Sequence, residues 1–180
     1  MGVEVFEGVL RQFSPDSYEE TSILDLGCGT GTFPEVLLKA GLKSAVLVDG
    51  SHKMLEICDQ KMAAANITNC KTQHVVLPNL DSFKNDEFSA VTSMMVLHHL
   101  PQGGDWSAVS ETIMNGAKKL KSGGVMVIGW QQPIQLTNFW FSHLVPENRA
   151  KVASQCPTIA QMIEWYTAAG LEIKVIFYIF

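Results

Sequence analysis

Ile23-Leu24-Asp25-Leu26-Gly27-Cys28-Gly29-Thr30-Gly31-Thr32 is the stretch from which the rest of the chain can be read. An apolar, strand-like run ends in three glycines that alternate over five positions. Helical character begins at Phe33, with Pro34 in the first turn, where proline is tolerated. Alternating glycines mean a backbone that turns sharply and puts no Cβ between itself and whatever approaches it. Strand, bare loop and helix in that order form the first unit of an alternating α/β chain.

The alternation continues outward from that unit. Ala45–Val48, Thr72–Val76, Phe88–Met94, Val125–Trp130 and Ile173–Phe180 read as further strands, several of them apolar at consecutive positions, as in strands covered on both faces. Phe33–Lys39, Lys53–Ala65, Trp106–Leu120 and Ile159–Ala169 carry helical period. Ser51 stands where an N-cap belongs, Thr158 and Gln161 make a capping box, and Gly170 follows as a terminating glycine. Lys118, Lys119 and Lys121 fall near a helix C-terminus, complementing its dipole just before Ser122-Gly123-Gly124. The pattern predicts one α/β domain over residues 1–180: a doubly wound, Rossmann-like, mostly parallel sheet with its core in residues 21–130. On such sheets ligands bind beyond the carboxyl ends of the strands, at the topological switch point.

Composition sets the outer bounds. With 180 residues, 47% hydrophobic and 17% charged, the chain can bury one real core and is not a disordered segment. The net charge is −5 and no basic run occurs, which argues against a surface for nucleic acid or an anionic membrane. Cys28, Cys58, Cys70 and Cys156 show no CxxC spacing and read as reduced thiols. The opening residues carry Glu4 and Glu7 where a signal peptide would be basic and then apolar, and the apolar run at Val175–Phe180 is too short to span a bilayer. A soluble, cytoplasmic protein is the expectation.

Asp49 ends the second strand, 22 residues after Gly27. A carboxylate there can accept hydrogen bonds from both hydroxyls of a ribose, so loop and acid together mark a candidate nucleoside site. The dinucleotide fingerprint G-x-G-x-x-G/A is matched imperfectly: Thr32 holds the third position, and the extra glycine, Gly31, comes one residue early. With no Tyr-x-x-x-Lys pair either, an NAD(P)-dependent oxidoreductase is the weaker alternative.

Asp25-Leu26-Gly27-Cys28-Gly29-Thr30-Gly31 resembles the D/E-x-G-x-G-x-G motif of class I S-adenosylmethionine-dependent methyltransferases. Val48-Asp49-Gly50-Ser51 with Met54-Leu55, Phe88–Leu100 and Leu120–Ile128 are similar to that family's second-strand, fourth-strand and fifth-strand motifs, in family order over residues 23–130. The resemblance is to the small-molecule branch. It implies S-adenosylmethionine as cofactor, with Asp25, Gly27, Cys28, Gly29 and Gly31 around its methionine moiety and Asp49 on its ribose. Gly50, Ser51 and Met54 would lie near the adenine, with Leu77 where the family often has an acid after the third strand. Backbone at Ser93 and Met94 would face the ligand's amino group. The implied reaction is in-line displacement of the sulfonium methyl by a nucleophilic atom of a small-molecule acceptor.

His98 and His99 follow the fourth strand and are the candidate general bases, since imidazole titrates near neutrality. Adjacent histidines without a nearby Cys/Asp/Glu cluster lack ligand geometry, so no metal site is expected. Residues 131–157, with Phe139-Trp140-Phe141, form a candidate lid, and Trp130, Gln131 and Trp140 are candidate substrate contacts. Family members usually end in a seventh, antiparallel strand beside the fifth, and nothing follows Ile173–Phe180 to build it. A sheet with this terminal strand missing is therefore expected, either because the chain is a truncated or divergent form or because a homo-oligomer or another subunit covers the open edge. The same gap motivates the alternative of a non-catalytic S-adenosylmethionine-binding protein.

Overall fold

The computed structural model describes residues 20–100, 105–130 and 157–174. Five strands, β1 (Ser22–Leu26), β2 (Ser44–Asp49), β3 (Cys70–His74), β4 (Phe88–Met94) and β5 (Leu120–Gly129), form one sheet in the order β3-β2-β1-β4-β5. Every neighbouring pair among them runs parallel. The helices are α1 (Thr32–Lys39), α2 (His52–Ala64), α3 (Ser107–Lys119) and α4 (Ile159–Ala168).

The period of two along each strand sorts the core into two layers. Ile23, Ala45, Leu47 and Ala90 turn to one face, where they bury Phe33, Leu37 and Leu38 of α1 and Leu55, Cys58 and Met62 of α2. Leu24, Leu26, Val46, Val48 and Val91 turn to the other, against Leu80, Phe83 and Phe88. There α3 lies so close that a Cβ on Gly116 would meet Met126, Val91 and Leu26. Val109 and Ile113 of α3 and Met162 of α4 extend this layer beneath Trp106, Trp130 and Trp165. The doubly wound parallel sheet expected from the strand–helix alternation is the fold observed. Between β1 and β4 the chain changes the direction in which it adds strands, which makes their carboxyl ends the topological switch point at which such sheets bind ligands.

Helix ends follow their sequence signals. Ser51 accepts the Met54 N–H, Thr158 and Gln161 close the capping box on each other, and Gly170 takes φ 76° after α4. Lys119 does more than answer a dipole. It is buried, and its ammonium donates to the Phe83 carbonyl at 2.9 Å and to Asn85 at 3.0 Å.

Three of the expected strands differ from the observed ones by more than one residue. β3 starts at Cys70, because its pairing with Ala45 begins there, and after His74 only Val75 continues the ladder, through its N–H to the Asp49 carbonyl at 3.1 Å. β5 starts at Leu120, opposite Phe88, and then bulges: residues 121–124 stand against Ser89 alone before Val125 resumes opposite Ala90. Ile173 and Lys174 are irregular where a strand was expected, and residues 175–180 lie outside the described residues, as does the candidate lid apart from Pro157.

Candidate functional site

The glycine loop rests on β2. The Gly27 and Cys28 N–H groups both donate to the Val48 carbonyl, at 2.8 and 2.9 Å, and the Gly31 N–H returns to the Cys28 carbonyl at 2.9 Å. Gly27, Gly29 and Gly31 all take positive φ, at 73°, 55° and 77°, a conformation costly for any residue with a side chain. Two of them also have no room for one. A Cβ on Gly27 would lie 2.5 Å from Val96, and one on Gly31 would lie 2.6 Å from Cys58 Sγ and Met62 Cε. Gly29 differs, because nothing lies within 4 Å of where its Cβ would be. Its bare backbone faces open space, with the amide aimed at Asp49.

Asp49 joins the loop to the second strand. Its Oδ2 accepts the Gly29 N–H and its Oδ1 the Ser51 N–H, each at 2.9 Å. Two bonds leave a carboxylate with further lone pairs, which can still take hydroxyl donors. The turn behind it is held from β3: the His74 Nε2–H donates to the Gly50 carbonyl at 3.0 Å, and the His74 ring stacks on His52 at 3.9 Å. Gly50 is exposed, and Val76, 62% exposed, stands 3.9 Å from where its Cβ would lie. Met54, 42% exposed, rises from the first turn of α2 on the same side. Leu77, by contrast, is half-buried against the core layer of Leu24 and Val48. Val76 is the apolar side chain that reading the sequence missed at Gly50, and its exposure after β3 is the signal that exposes it.

Asp25 is not at the surface of the crevice. It is 2% exposed and lies beneath the loop, accepting the Thr92 hydroxyl at 2.5 Å from its register partner on β4. Burial first, partly offset by that bond, and then the charge of Asp49 push its pKa up to about 7. Ser93 is buried too, its hydroxyl donating to the Leu26 carbonyl at 3.1 Å. Met94 fills the space above Gly129, and Met95 takes φ 61°, its N–H on the Gly129 carbonyl at 2.8 Å. A methionine in the left-handed region is strained. It turns the chain at the end of β4, over the glycine loop, where Val96 seats on Gly27.

That turn carries a 3-10 segment, Leu97–His99, anchored by buried Leu97. The two imidazoles lie 3.9 Å apart. Burial and then the neighbouring His99 hold the His98 pKa below the ordinary value of 6.5, so His98 is neutral at pH 7 and has a lone pair to offer. Trp130 is engaged otherwise, its indole N–H donating to the Pro157 carbonyl at 3.2 Å. Gln131 and Trp140 lie outside the described residues. Among the described residues no group of three or more His, Cys, Asp or Glu could hold a metal, and no helix is long and apolar enough to cross a membrane.

Glycine loop, Asp49 turn and Met94–His99 turn thus meet at the carboxyl ends of β1, β2 and β4. Residues 23–124 match the family model described as a methyltransferase domain. Among curated relatives, 121 residues are 29% identical to a ubiquinone biosynthesis O-methyltransferase of Hydrogenovibrio crunogenus, covering 64% of this chain and 44% of that one. The chain spans less than half the length of the curated relatives it matches. In structure it is similar to an S-adenosylmethionine-dependent methyltransferase of Aquifex aeolicus, with a TM-score of 0.72 at 14% identity over 94% of this chain and 81% of that one. An S-adenosylmethionine-dependent methyltransferase of Mesorhizobium loti aligns with a TM-score of 0.66 at 22% identity, over 91% and 79% of the two chains. With the family match running from the first strand past the carboxyl ends of β1, β2 and β4 and into the bulge of β5, the chain belongs to the methyltransferase-domain family.

Proposed function

We propose that this chain transfers a methyl group from S-adenosylmethionine to a small-molecule acceptor, in the crevice between the glycine loop and the Met94–His99 turn. Asp49 carries the reading. Its carboxylate is fixed by the Gly29 and Ser51 amides, beside a glycine with open space in front of it. The residues present fit a nucleoside: bare backbone at Gly29 and Gly50, a half-exposed acid between them, and apolar Met54 and Val76 alongside. When bound, S-adenosylmethionine supplies an electrophilic methyl group on a sulfonium.

The protein's share of the work is orientation and exclusion of water, which together can lower a barrier by about 7–11 kcal/mol. Asp49 would hold the ribose, the Gly27–Gly31 loop and the backbone at Ser93 and Met94 the methionine moiety, and Gly50, Met54 and Val76 the adenine. Asp25 acts from below, as a positioning residue that ties β1 to β4 through Thr92. His98, neutral at pH 7, accepts the proton of the acceptor, a step that matters for a hydroxyl nucleophile. The O-methyltransferase relative supports an oxygen acceptor.

Calorimetry of the full chain with S-adenosylmethionine, its demethylated product and NADH tests the reading. Binding of the first two and not the third is expected. Binding of NADH alone overturns it.

A further inference from the structure

In a trans peptide the C=O and the N–H point to opposite sides of one rigid plane. The plane between Gly50 and Ser51 is held at both ends. Its N–H, on Ser51, donates to Asp49 Oδ1 at 2.9 Å, and its C=O, on Gly50, accepts the Nε2–H of His74 at 3.0 Å. A carbonyl oxygen can only accept, so the ring proton is on Nε2. Gly50 has no side chain to resist rotation of this plane, so its orientation depends on those two bonds.

β3 grips the turn twice. The Val75 N–H on the Asp49 carbonyl, at 3.1 Å, fixes the preceding peptide, and any residue but proline could supply that bond from position 75. The bond to Gly50 is different, because it needs a side-chain donor of the right reach on the last residue of β3. His74 is exposed, and an exposed side chain ordinarily spreads over several rotamers. Here its ring lies flat on that of His52, the first residue of α2, with centroids 3.9 Å apart and planes 10° apart. The stack braces the ring in advance, so less conformational freedom is lost in making the bond.

We propose that His74 is a positioning residue of the donor site: its Nε2–H clamps the Gly50–Ser51 peptide and through it sets the orientation of the Asp49 carboxylate. With the plane fixed, Oδ1 stays on the Ser51 amide and Oδ2 on the Gly29 amide, and the carboxylate meets a ribose with its lone pairs already directed. With the plane released, the Ser51 amide swings off Oδ1 and the carboxylate turns about its remaining bond to Gly29. His74 thus sets donor affinity without touching the donor and carries no proton in the reaction. The effect on affinity rests on the proposed function, whereas the clamp itself does not.

Amide hydrogen exchange of the ligand-free full chain reads the clamp. The Ser51 N–H exchanges about tenfold or more faster in H74F, which keeps a ring to stack on His52 but offers no donor. It stays near the wild-type rate in H74Q, whose amide nitrogen lies as many bonds from Cα as Nε2 does. Equal Ser51 exchange in H74F and the wild type overturns the clamp. Calorimetry reads the consequence. Affinity for S-adenosylmethionine drops about three- to tenfold in H74F and in H74L and recovers in H74Q. In a D49A background H74F causes no further loss, because the peptide plane then has no carboxylate to orient. A loss that persists in D49A, or that H74Q fails to recover, overturns the positioning role, as does wild-type affinity in H74F. If the wild type binds no S-adenosylmethionine, the proposed function fails, while the exchange rates still decide the clamp.

Discussion

Asp25 and Asp49 sit on neighbouring strands and are given different tasks by what surrounds them. Asp25, fully buried on Thr92, keeps a carboxyl whose pKa rises from 3.8 to about 7. A folded value above the unfolded one means stability that is full at low pH and is lost as pH rises from about 4 through 7. Urea titrations at pH 5 and pH 8 should show that loss in the wild type, and D25N, which cannot ionise, should flatten it. Asp49 is the acid proposed to meet the ligand. D49A should weaken S-adenosylmethionine binding by about 1.5–3 kcal/mol, as loss of charge-assisted hydrogen bonds does, and calorimetry that finds the affinity intact removes the basis for the site. His98 is the proposed base, so H98Q should lower kcat by about 10²–10⁴-fold while leaving donor affinity alone. The acidic limb of the wild-type profile should fall below pH 6.5 and vanish in the variant. Asp49 and the glycines were legible because type and spacing alone single them out. The Thr92 partner of Asp25, 67 residues away, and the His74 bond to Gly50 were not, since only the sheet brings them together.

The glycine loop and α1 depend on space as much as on dihedral angle. Gly31 and Gly123 share nearly the same positive φ, 77° and 75°, yet only Gly31 is hemmed in, by Cys58 and Met62. Alanine at Gly123 should therefore cost only backbone strain, about 1 kcal/mol. Alanine at Gly31 adds an overpacking cost of about 1–3 kcal/mol. Parallel urea melts measure the difference, and equal losses would mean that the packing under the loop is slack. The element boundaries tell the same story about legibility. The four helices among the described residues could be read from period and caps, because those signals are local. The start of β5 could not, because the bulge at 121–124 exists only opposite Ser89.

At the scale of the whole molecule, the sheet order β3-β2-β1-β4-β5 brings three separate turns to one edge of the fold. Strand–helix alternation predicts a doubly wound sheet, whereas the order of its strands depends on pairings between segments far apart in sequence, such as β1 with β4. A ligand that bridges three turns stabilises all of them. At about 100 times its dissociation constant, S-adenosylmethionine should add about 2.7 kcal/mol to folding stability. Thermal melts should show an upward shift with S-adenosylmethionine and none with NADH; the reverse pattern would place the wrong nucleotide in the crevice.

The bulge at the start of β5 lies at the far, amino end of this sheet. Ladder pairing is complete on either side of it, at Leu120 and at Val125, and residues 121–123 project into solvent. Extra chain spliced between Ser122 and Gly123 would run outward and leave the alignment of both strands as it is. A reporter dye or an affinity handle attached there would watch the protein from the side opposite its chemistry.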